Sequence, residues 1–173
     1  MARTVIFASI ALASISTFAQ TPDEAKSLQQ FVQAFYDWYV PIANKPTNGP
    51  SFHIALKQRP ELFNPELLKA LQADLNSQAK SPGEIVGVDW DPFLNAQDPE
   101  QQYKVGSIQQ SRAGFWVNIH AINSGEMSKI ANVIAEVSKV DGHWIFNNFR
   151  SPRGIDLLSS LAHFRKQRNK TTK

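Results

Sequence analysis

Carboxylate and amide side chains that could bind a metal ion or act in catalysis are concentrated in one acidic loop, from Asp89 to Glu100. Five oxygen-bearing side chains match ligand positions of a calcium-binding loop: Asp89, Asp91, Asn95, Gln97 and Glu100. Phe93, however, stands where that loop needs another oxygen, and Leu94 stands where its sharp turn needs glycine. We therefore expect no metal here and interpret the two aspartates, Asp89 and Asp91, as carboxylates that bond to backbone amides and order the loop. On this interpretation, calcium or a chelator should change stability little.

The sequence does not support either of two kinds of catalytic site. Asp89, Asp91 and Asp98 are close enough along the chain to suggest a paired-carboxylate hydrolase, but sequence does not place two of them across a sugar-sized cleft. The histidines show no metal-ligand spacing, and no serine lies in a Gly-x-Ser-x-Gly turn. We therefore assign no catalytic residue, no metal and no cofactor. A pocket enzyme (a lyase, isomerase or hydrolase) that uses Asp, His and Tyr is the alternative.

Aromatic and histidine side chains form a candidate ligand-binding wall. Tyr36 and Tyr39 lie on the first predicted helix, and Trp116 and His120 alternate on one face of a predicted strand. A bent sheet covered by an aromatic helix leaves an apolar concavity, in which Tyr and His would orient a ligand without a buried formal charge. We therefore predict that a small molecule binds between that helix and the sheet. The alternative is a fully packed interior.

Helical patterns dominate the first half of the chain. A capping box at Thr21–Glu24 should begin the first helix, whose apolar stripe continues until Pro41 ends it. Ser51 should cap a short second helix, and Asn64–Glu66 should begin a third with a leucine stripe. A closing helix is expected from Asp156 to about Arg168.

The second half of the chain predicts an antiparallel meander. Strands are expected near residues 102–110, 113–122, 127–140 and 143–150. Asp141 and Gly142 predict a two-residue hairpin, which would place Glu136 opposite Asn147. Because neither face is purely polar, both need cover: one from the helices, the other from the closing segment, a partner or a ligand. The fold class is α+β, with N-terminal helices packed on a bent, cone-like antiparallel sheet and a closing C-terminal helix.

The N-terminal residues have the pattern of an export signal. Arg3 is followed by an uncharged stretch from Thr4 to Phe18, and small residues precede a cleavage site after Ala19. We predict that Met1–Ala19 is removed, that residues 20–168 form a single domain and that residues 169–173 form a basic tail. The expected location is the periplasm or the exterior, with no membrane span after signal removal. The chain has 0 cysteines, which excludes disulfides, lipoprotein anchoring and cysteine catalysis.

The basic character of the chain comes from its C-terminal end. The formal net charge is +3, and five basic side chains fall in the last nine residues: Arg165, Lys166, Arg168, Lys170 and Lys173. We interpret this end as a solvated, frayed terminus, with an anionic membrane surface or polyanion as the alternative partner. We expect no nucleic-acid partner.

Three runs of sequence carry a family resemblance: Phe35–Val40, Asp89–Asp98 and Asp141–Phe146. In these runs the chain resembles a bacterial envelope family known as domain of unknown function 3828. Its helices-first order also resembles the nuclear-transport-factor-two-like cone. These resemblances imply an exported domain without an assigned reaction, on a fold whose relatives include ligand binders, enzymes and dimerisation modules. We therefore predict an exported binding or interaction module whose partner is a small molecule or an envelope protein, and a dimer is left open.

Overall fold

The computed structural model describes residues 22–47, 49–81 and 83–171, and has the predicted α+β architecture. The helices are α1 (Pro22–Ala43), α2 (Phe52–Gln58), a short 3-10 helix (Pro60–Leu62), α3 (Pro65–Gln78) and α4 (Leu157–Thr171). The strands are β1 (Gln102–Ser111), β2 (Gly114–Asn123), β3 (Glu126–Met127), β4 (Val133–Val140) and β5 (His143–Arg150). Within the described residues, no helix has both the length and the hydropathy that crossing a membrane would require.

Helix α1 forms as its apolar stripe predicts, but it ends later than expected. Val32, Phe35 and Tyr39 are buried against the sheet, as the i, i+3, i+4 spacing indicates. Pro41 does not end the helix, which continues to Ala43. A proline so close to a helix end removes a single backbone hydrogen bond, and its fixed φ angle is compatible with the helix. The predicted capping residue Thr21 lies outside the described residues.

Helix α3 begins as predicted. The Asn64 side chain accepts a hydrogen bond from the Glu66 amide at 2.8 Å, and Pro65 occupies the first turn, where its missing N–H is not needed. Leu67 and Leu71 are fully buried on the inner face. The local signal was therefore sufficient to locate this helix.

The sheet is a meander in the order β1-β2-β4-β5, and all of these pairs are antiparallel. The predicted hairpin is confirmed, since Asp141 and Gly142 have φ angles of 49° and 82° between β4 and β5. Positive φ at both central positions is what the tightest hairpin turns require.

The prediction of one strand over residues 127–140 is wrong, because Asn132 interrupts it. Strand β3 contains only Glu126–Met127, and β4 begins at Val133. The Asn132 side-chain oxygen accepts hydrogen bonds from the Ala121 amide and the Ser128 hydroxyl, both at 2.8 Å. The Asn132 side chain thus takes the place of a backbone partner for the Ala121 amide. The Ser128 and Asn132 amides still donate to carbonyls of β2, so residues 129–131 loop away from that strand.

The predicted register of the last hairpin is correct near the turn and wrong beyond it. Val137 faces Phe146 as expected, but Glu136 faces Asn148 rather than Asn147 because a β-bulge intervenes. In a regular strand, Phe146 and Phe149 would point to opposite faces. The extra residue lets both phenylalanines point into the core, where each is almost completely buried.

The closing helix is longer than predicted and packs in the same layer as the other helices. Asp156 caps it by accepting a hydrogen bond from the Ser159 amide at 2.8 Å, and Leu157 and Leu161 join the core. Because α4 continues to Thr171, residues 169–171 extend the helix instead of forming a frayed tail. The second face of the sheet keeps its side chains partly exposed, for example along β2.

Candidate functional site

The candidate site is a cleft between the α1–α2 connection and the loop of residues 88–99. Its volume is 290 Å³, and its walls include Ser51, Phe52, Asp89, Trp90, Asp91 and Gln97. We call it the Asp91 cleft. One wall of the cleft is part of the acidic loop identified in the sequence, and the opposite wall includes Ser51 from the α1–α2 connection.

One oxygen of Asp91 orders the loop from inside. Its Oδ1 atom accepts hydrogen bonds from the backbone amides of Phe93 at 3.0 Å and Leu94 at 3.1 Å. The Asp91 amide in turn donates to the Ala96 carbonyl at 2.8 Å, which closes the turn. The prediction that this carboxylate bonds to backbone amides is therefore confirmed.

The other oxygen of Asp91 faces two hydroxyl groups. Its Oδ2 atom accepts hydrogen bonds from the Tyr39 hydroxyl and from the Ser51 hydroxyl, the second at 2.8 Å. The two hydroxyl oxygens are themselves 3.3 Å apart. An ionised carboxylate offers about four acceptor positions, so the protein's own donors occupy the full capacity of Asp91.

Burial dominates the electrostatics of this cluster. Desolvation raises the pKa of the Asp91 carboxyl, although the hydrogen bonds from Tyr39, Ser51 and the loop amides partly oppose that rise. Desolvation also raises the pKa of Tyr39 well above its ordinary value, and the nearby Asp91 charge raises it further. The Tyr39 hydroxyl is thus held in its protonated, hydrogen-bond-donating form.

Ser51 has a role that the sequence did not indicate. We predicted that it would cap α2, but its side chain makes no capping hydrogen bond. The hydroxyl points instead to Asp91, which lies 40 residues away along the chain. Since serine is common at helix starts, no local signal distinguishes these two uses.

The calcium-loop positions do not converge on one point. Phe93 and Leu94 are completely buried in the apolar core, while Asp89 is exposed and lies 3.5 Å from the Gln97 amide nitrogen. In the part of the chain that the structure describes, no group of three or more His, Asp or Glu side chains could hold a metal ion.

The four predicted ligand-wall residues lie in two separate places. Tyr36 and Tyr39 are buried in the core, where the Tyr36 hydroxyl donates to the Phe93 carbonyl at 2.8 Å. Trp116 and His120 point to the opposite face of the sheet from the buried residues Val117 and Ile119, next to them in β2. The predicted pocket between α1 and the sheet is occupied by packed side chains, so these four residues do not line one cavity.

On the second face, Trp116 and His120 each have a nearby protein partner. The Arg150 guanidinium carbon lies 3.9 Å from the centre of the Trp116 ring. The Nδ1 atom of His120 lies 2.8 Å from the Ser128 carbonyl oxygen. A sequence signal for the correct orientation was present. The residues at positions 115, 117, 119 and 121 are all apolar, and this alternation indicates that their side of β2, not the side of Trp116, faces the core.

No protein-family model matches the chain, and no curated protein matches its sequence. A solved structure of a protein of unknown function from Bacteroides thetaiotaomicron is similar, with 14% sequence identity and a TM-score of 0.48. The match covers 74% of this chain and 95% of that chain.

Proposed function

We propose that this chain is an exported bacterial binding module that holds a small molecule in the Asp91 cleft and carries out no reaction on it. The observation that carries the proposal is an open cleft whose buried carboxylate is fully occupied by the protein's own donors. The family resemblance of the sequence to an exported domain without an assigned reaction agrees with this proposal.

The hydrogen bonds of Asp91 favour binding over catalysis. A general base needs a free lone pair within reach of the substrate proton. A substrate would have to displace the Ser51 or Tyr39 hydroxyl before Asp91 could act in this way. A binding site needs no such rearrangement, because a preformed wall orients its ligand.

The wall composition suggests the chemistry of the ligand. Asp89 and Asp91 are its charged members, and the residues described there include no Lys or Arg. Gln97 and Thr47 add polar groups, and Trp90 contributes an aromatic ring. We therefore propose a ligand rich in hydrogen-bond donors or carrying a positive charge, for which Asp89 is the accessible counter-charge.

The test is a ligand screen read by tryptophan fluorescence on the wild type and on matched variants. Asp89→Asn should weaken binding of a cationic ligand about tenfold, a loss of ~1.4 kcal/mol. Asp98→Asn, in the same loop but outside the cleft wall, should bind normally. If a cationic ligand binds both variants with the same affinity, its binding site is not the Asp91 cleft.

A pocket enzyme is the second candidate, and the raised pKa of Asp91 next to Tyr39 and Ser51 is the observation in its favour. If a compound that binds in the cleft is also converted, and Ser51→Ala abolishes conversion while binding persists, the enzyme proposal replaces the binding module.

Export is part of the proposal and is tested separately. The segment Met1–Ala19 lies outside the described residues, so its sequence pattern is the support. Intact-mass measurement of the exported protein should give an N-terminus at Gln20. A mature species that still contains Phe18 would contradict it.

A further inference from the structure

Two neighbouring loops at one end of the sheet expose large apolar side chains. Residues 128–132 follow β3, residues 151–155 follow β5, and a hollow of 770 Å³ lies between them. We call this surface the Ile130–Ile155 surface. Ile130 is 72% exposed and Ile155 is 57% exposed. Met127, just before the first loop, is a third exposed apolar side chain.

The exposure of these side chains follows from fixed loop geometry. The Ser128 hydroxyl oxygen lies 2.9 Å from the Ile130 carbonyl oxygen, and the Ser151 amide donates to the Ile155 carbonyl at 2.8 Å. The Asn95 side chain also holds the first loop by donating to the Asn132 carbonyl at 2.9 Å. Because hydrogen bonds hold both loops, the isoleucines are presented outward on an ordered surface.

The charge at this surface has one sign. Lys129 and Arg153 lie in the wall of the hollow, and no acidic residue lies there among the described residues. Asp156 is the acidic residue next to the second loop, but its carboxylate is engaged by the Asn148 amide and the Ser159 backbone amide. Glu126 lies before Met127 in β3 and is not part of the wall.

We propose that the Ile130–Ile155 surface docks onto an anionic lipid bilayer. Ile130 and Ile155 enter the boundary between headgroups and acyl chains, while Lys129 and Arg153 bind lipid phosphates. Large exposed apolar side chains mark interaction surfaces, and aliphatic residues flanked by cations match a bilayer whose surface is negative and whose interior is apolar. This proposal concerns a different surface from the Asp91 cleft and does not depend on it.

Charge complementarity favours a lipid surface over a soluble protein partner. The exposed aliphatic side chains of the two loops line one hollow, and each has a cation close to it in sequence with no acidic residue in the wall, which matches the negative surface and apolar interior of a bilayer. A protein partner would need its own apolar protrusion to fill the hollow, together with paired carboxylates. A soluble partner is therefore an outcome of the test, and it would overturn the proposal.

The experiment is co-sedimentation of the full chain with vesicles of phosphatidylcholine alone or mixed with phosphatidylglycerol. Wild-type protein should sediment with the anionic vesicles at low salt and much less at high salt. Lys129→Gln with Arg153→Gln should weaken binding about 25-fold, on the basis of about fivefold for each cation. Ile130→Ser with Ile155→Ser should also reduce binding, even at low salt.

Matched controls isolate this surface. Ile85→Ser removes an isoleucine that is 80% exposed at another place, and Lys57→Gln removes an exposed cation from α2. Both variants should bind as the wild type does, and all variants share the same N-terminal residues. The proposal would be overturned if Ile85→Ser reduced vesicle binding as much as Ile130→Ser with Ile155→Ser does. It would also be overturned if the wild type bound neutral and anionic vesicles equally.

The basic outer face of α4 is the competing explanation for any vesicle binding. Lys166→Gln with Lys170→Gln should leave most of the binding intact if the Ile130–Ile155 surface is responsible. If this pair abolishes binding while the four substitutions at the Ile130–Ile155 surface do not, the helix is the lipid contact and the proposal is wrong.

Discussion

Arg168 and Asp74 form a partly buried ion pair that joins α4 to α3. The Nη1 atom of Arg168 lies 2.7 Å from Oδ1 of Asp74, and the two side chains are 19% and 1% exposed. The same Nη1 atom donates to the Val86 carbonyl at 2.6 Å. A basic residue that was predicted to lie near a frayed end is therefore bound to the body of the protein and links α4 to it.

Asp74 also holds the loop that follows α3. Its Oδ2 atom accepts hydrogen bonds from the Val88 amide at 2.9 Å and from the Gln78 side chain at 2.8 Å. A buried carboxylate with a charged partner and two further donors is well compensated for its desolvation. The pair therefore connects α3, α4 and the loop that leads to the Asp91 cleft.

The first prediction is that Arg168→Met lowers the free energy of unfolding by about 3 kcal/mol or more, because it leaves the Asp74 carboxylate buried without its charged partner. Lys166→Met, which removes an exposed cation from the other side of the same helix, should change it by less than about 0.5 kcal/mol. Urea denaturation of both variants measures the difference. Similar midpoints for the two variants would mean that the ion pair contributes little.

The second prediction concerns Gly87, whose backbone lies against the Asp74 carboxylate. A β-carbon at Gly87 would overlap Oδ2 of Asp74, so Gly87→Ala should destabilise the fold by about 1 to 3 kcal/mol. In an Asp74→Ala background the same substitution should cost much less, because the obstructing carboxylate is gone. A double-mutant cycle by urea denaturation measures this coupling. If the two changes in unfolding free energy are simply additive, the Asp74 carboxylate is not what obstructs a β-carbon at Gly87.

The third prediction is that no tyrosine ionises near its ordinary pKa in the folded protein. The chain has 3 tyrosines. Burial raises the pKa of Tyr36 and Tyr39 well above the ordinary value, and raises the pKa of Tyr103 to about 12. Phenolate absorbance should therefore rise late in an alkaline titration, and Tyr103→Phe should remove its earliest step.

The free energy of unfolding should fall at alkaline pH as a result of the same tyrosine ionisations. A tyrosine whose pKa is raised by folding contributes stability below its unfolded pKa of about 10, and this stability is lost as pH rises through the folded pKa. Protein unfolded in urea should titrate near pH ~10. A phenolate step near pH ~10 in the folded protein would contradict the burial of one of the three.

The fourth prediction is a pH dependence that comes from Asp91. Because folding raises the pKa of this carboxyl, its contribution to stability is fully present below its unfolded pKa of about 3.9 and is lost as pH rises through its folded pKa. The stability advantage of the wild type over Asp91→Asn should therefore shrink as pH rises through that window. Urea denaturation at a series of pH values measures it, and Asp98→Asn controls for the change in net charge. If the stability advantage of the wild type over Asp91→Asn grows as pH rises, folding lowers the pKa of Asp91 and the prediction is wrong.

Much of the secondary structure could be predicted because its signals are local. The Asn64 cap, the apolar stripe of α1 and the Asp141-Gly142 turn act through hydrogen bonds or side-chain spacing within a few residues. These interactions depend little on the rest of the fold, so the elements that they form could be predicted correctly from the sequence. The α+β class follows from their order along the chain.

The candidate site could be predicted only in part. Asp91 was correctly interpreted as an ordering carboxylate, since side-chain bonds to the next amides are local. The partnership of Tyr39, Ser51 and Asp91 was not predicted, because it depends on how α1 and two loops meet. Trp116 was assigned to the helix-covered side of the sheet, although the apolar residues that alternate with it in β2 are the ones that pack in the core.

Local signals in the sequence were sufficient to predict the α+β order of the elements, the start of α3, the hairpin turn and the loop-ordering role of Asp91. The tertiary structure decided the bulge that turns both Phe146 and Phe149 inward, and the Asn132 interruption that opens the Ile130–Ile155 surface. It also joined Asp74 to Arg168 across 94 residues. The physical reason is that a local hydrogen bond has few alternative partners, whereas a long-range contact is selected among many by burial of the whole core.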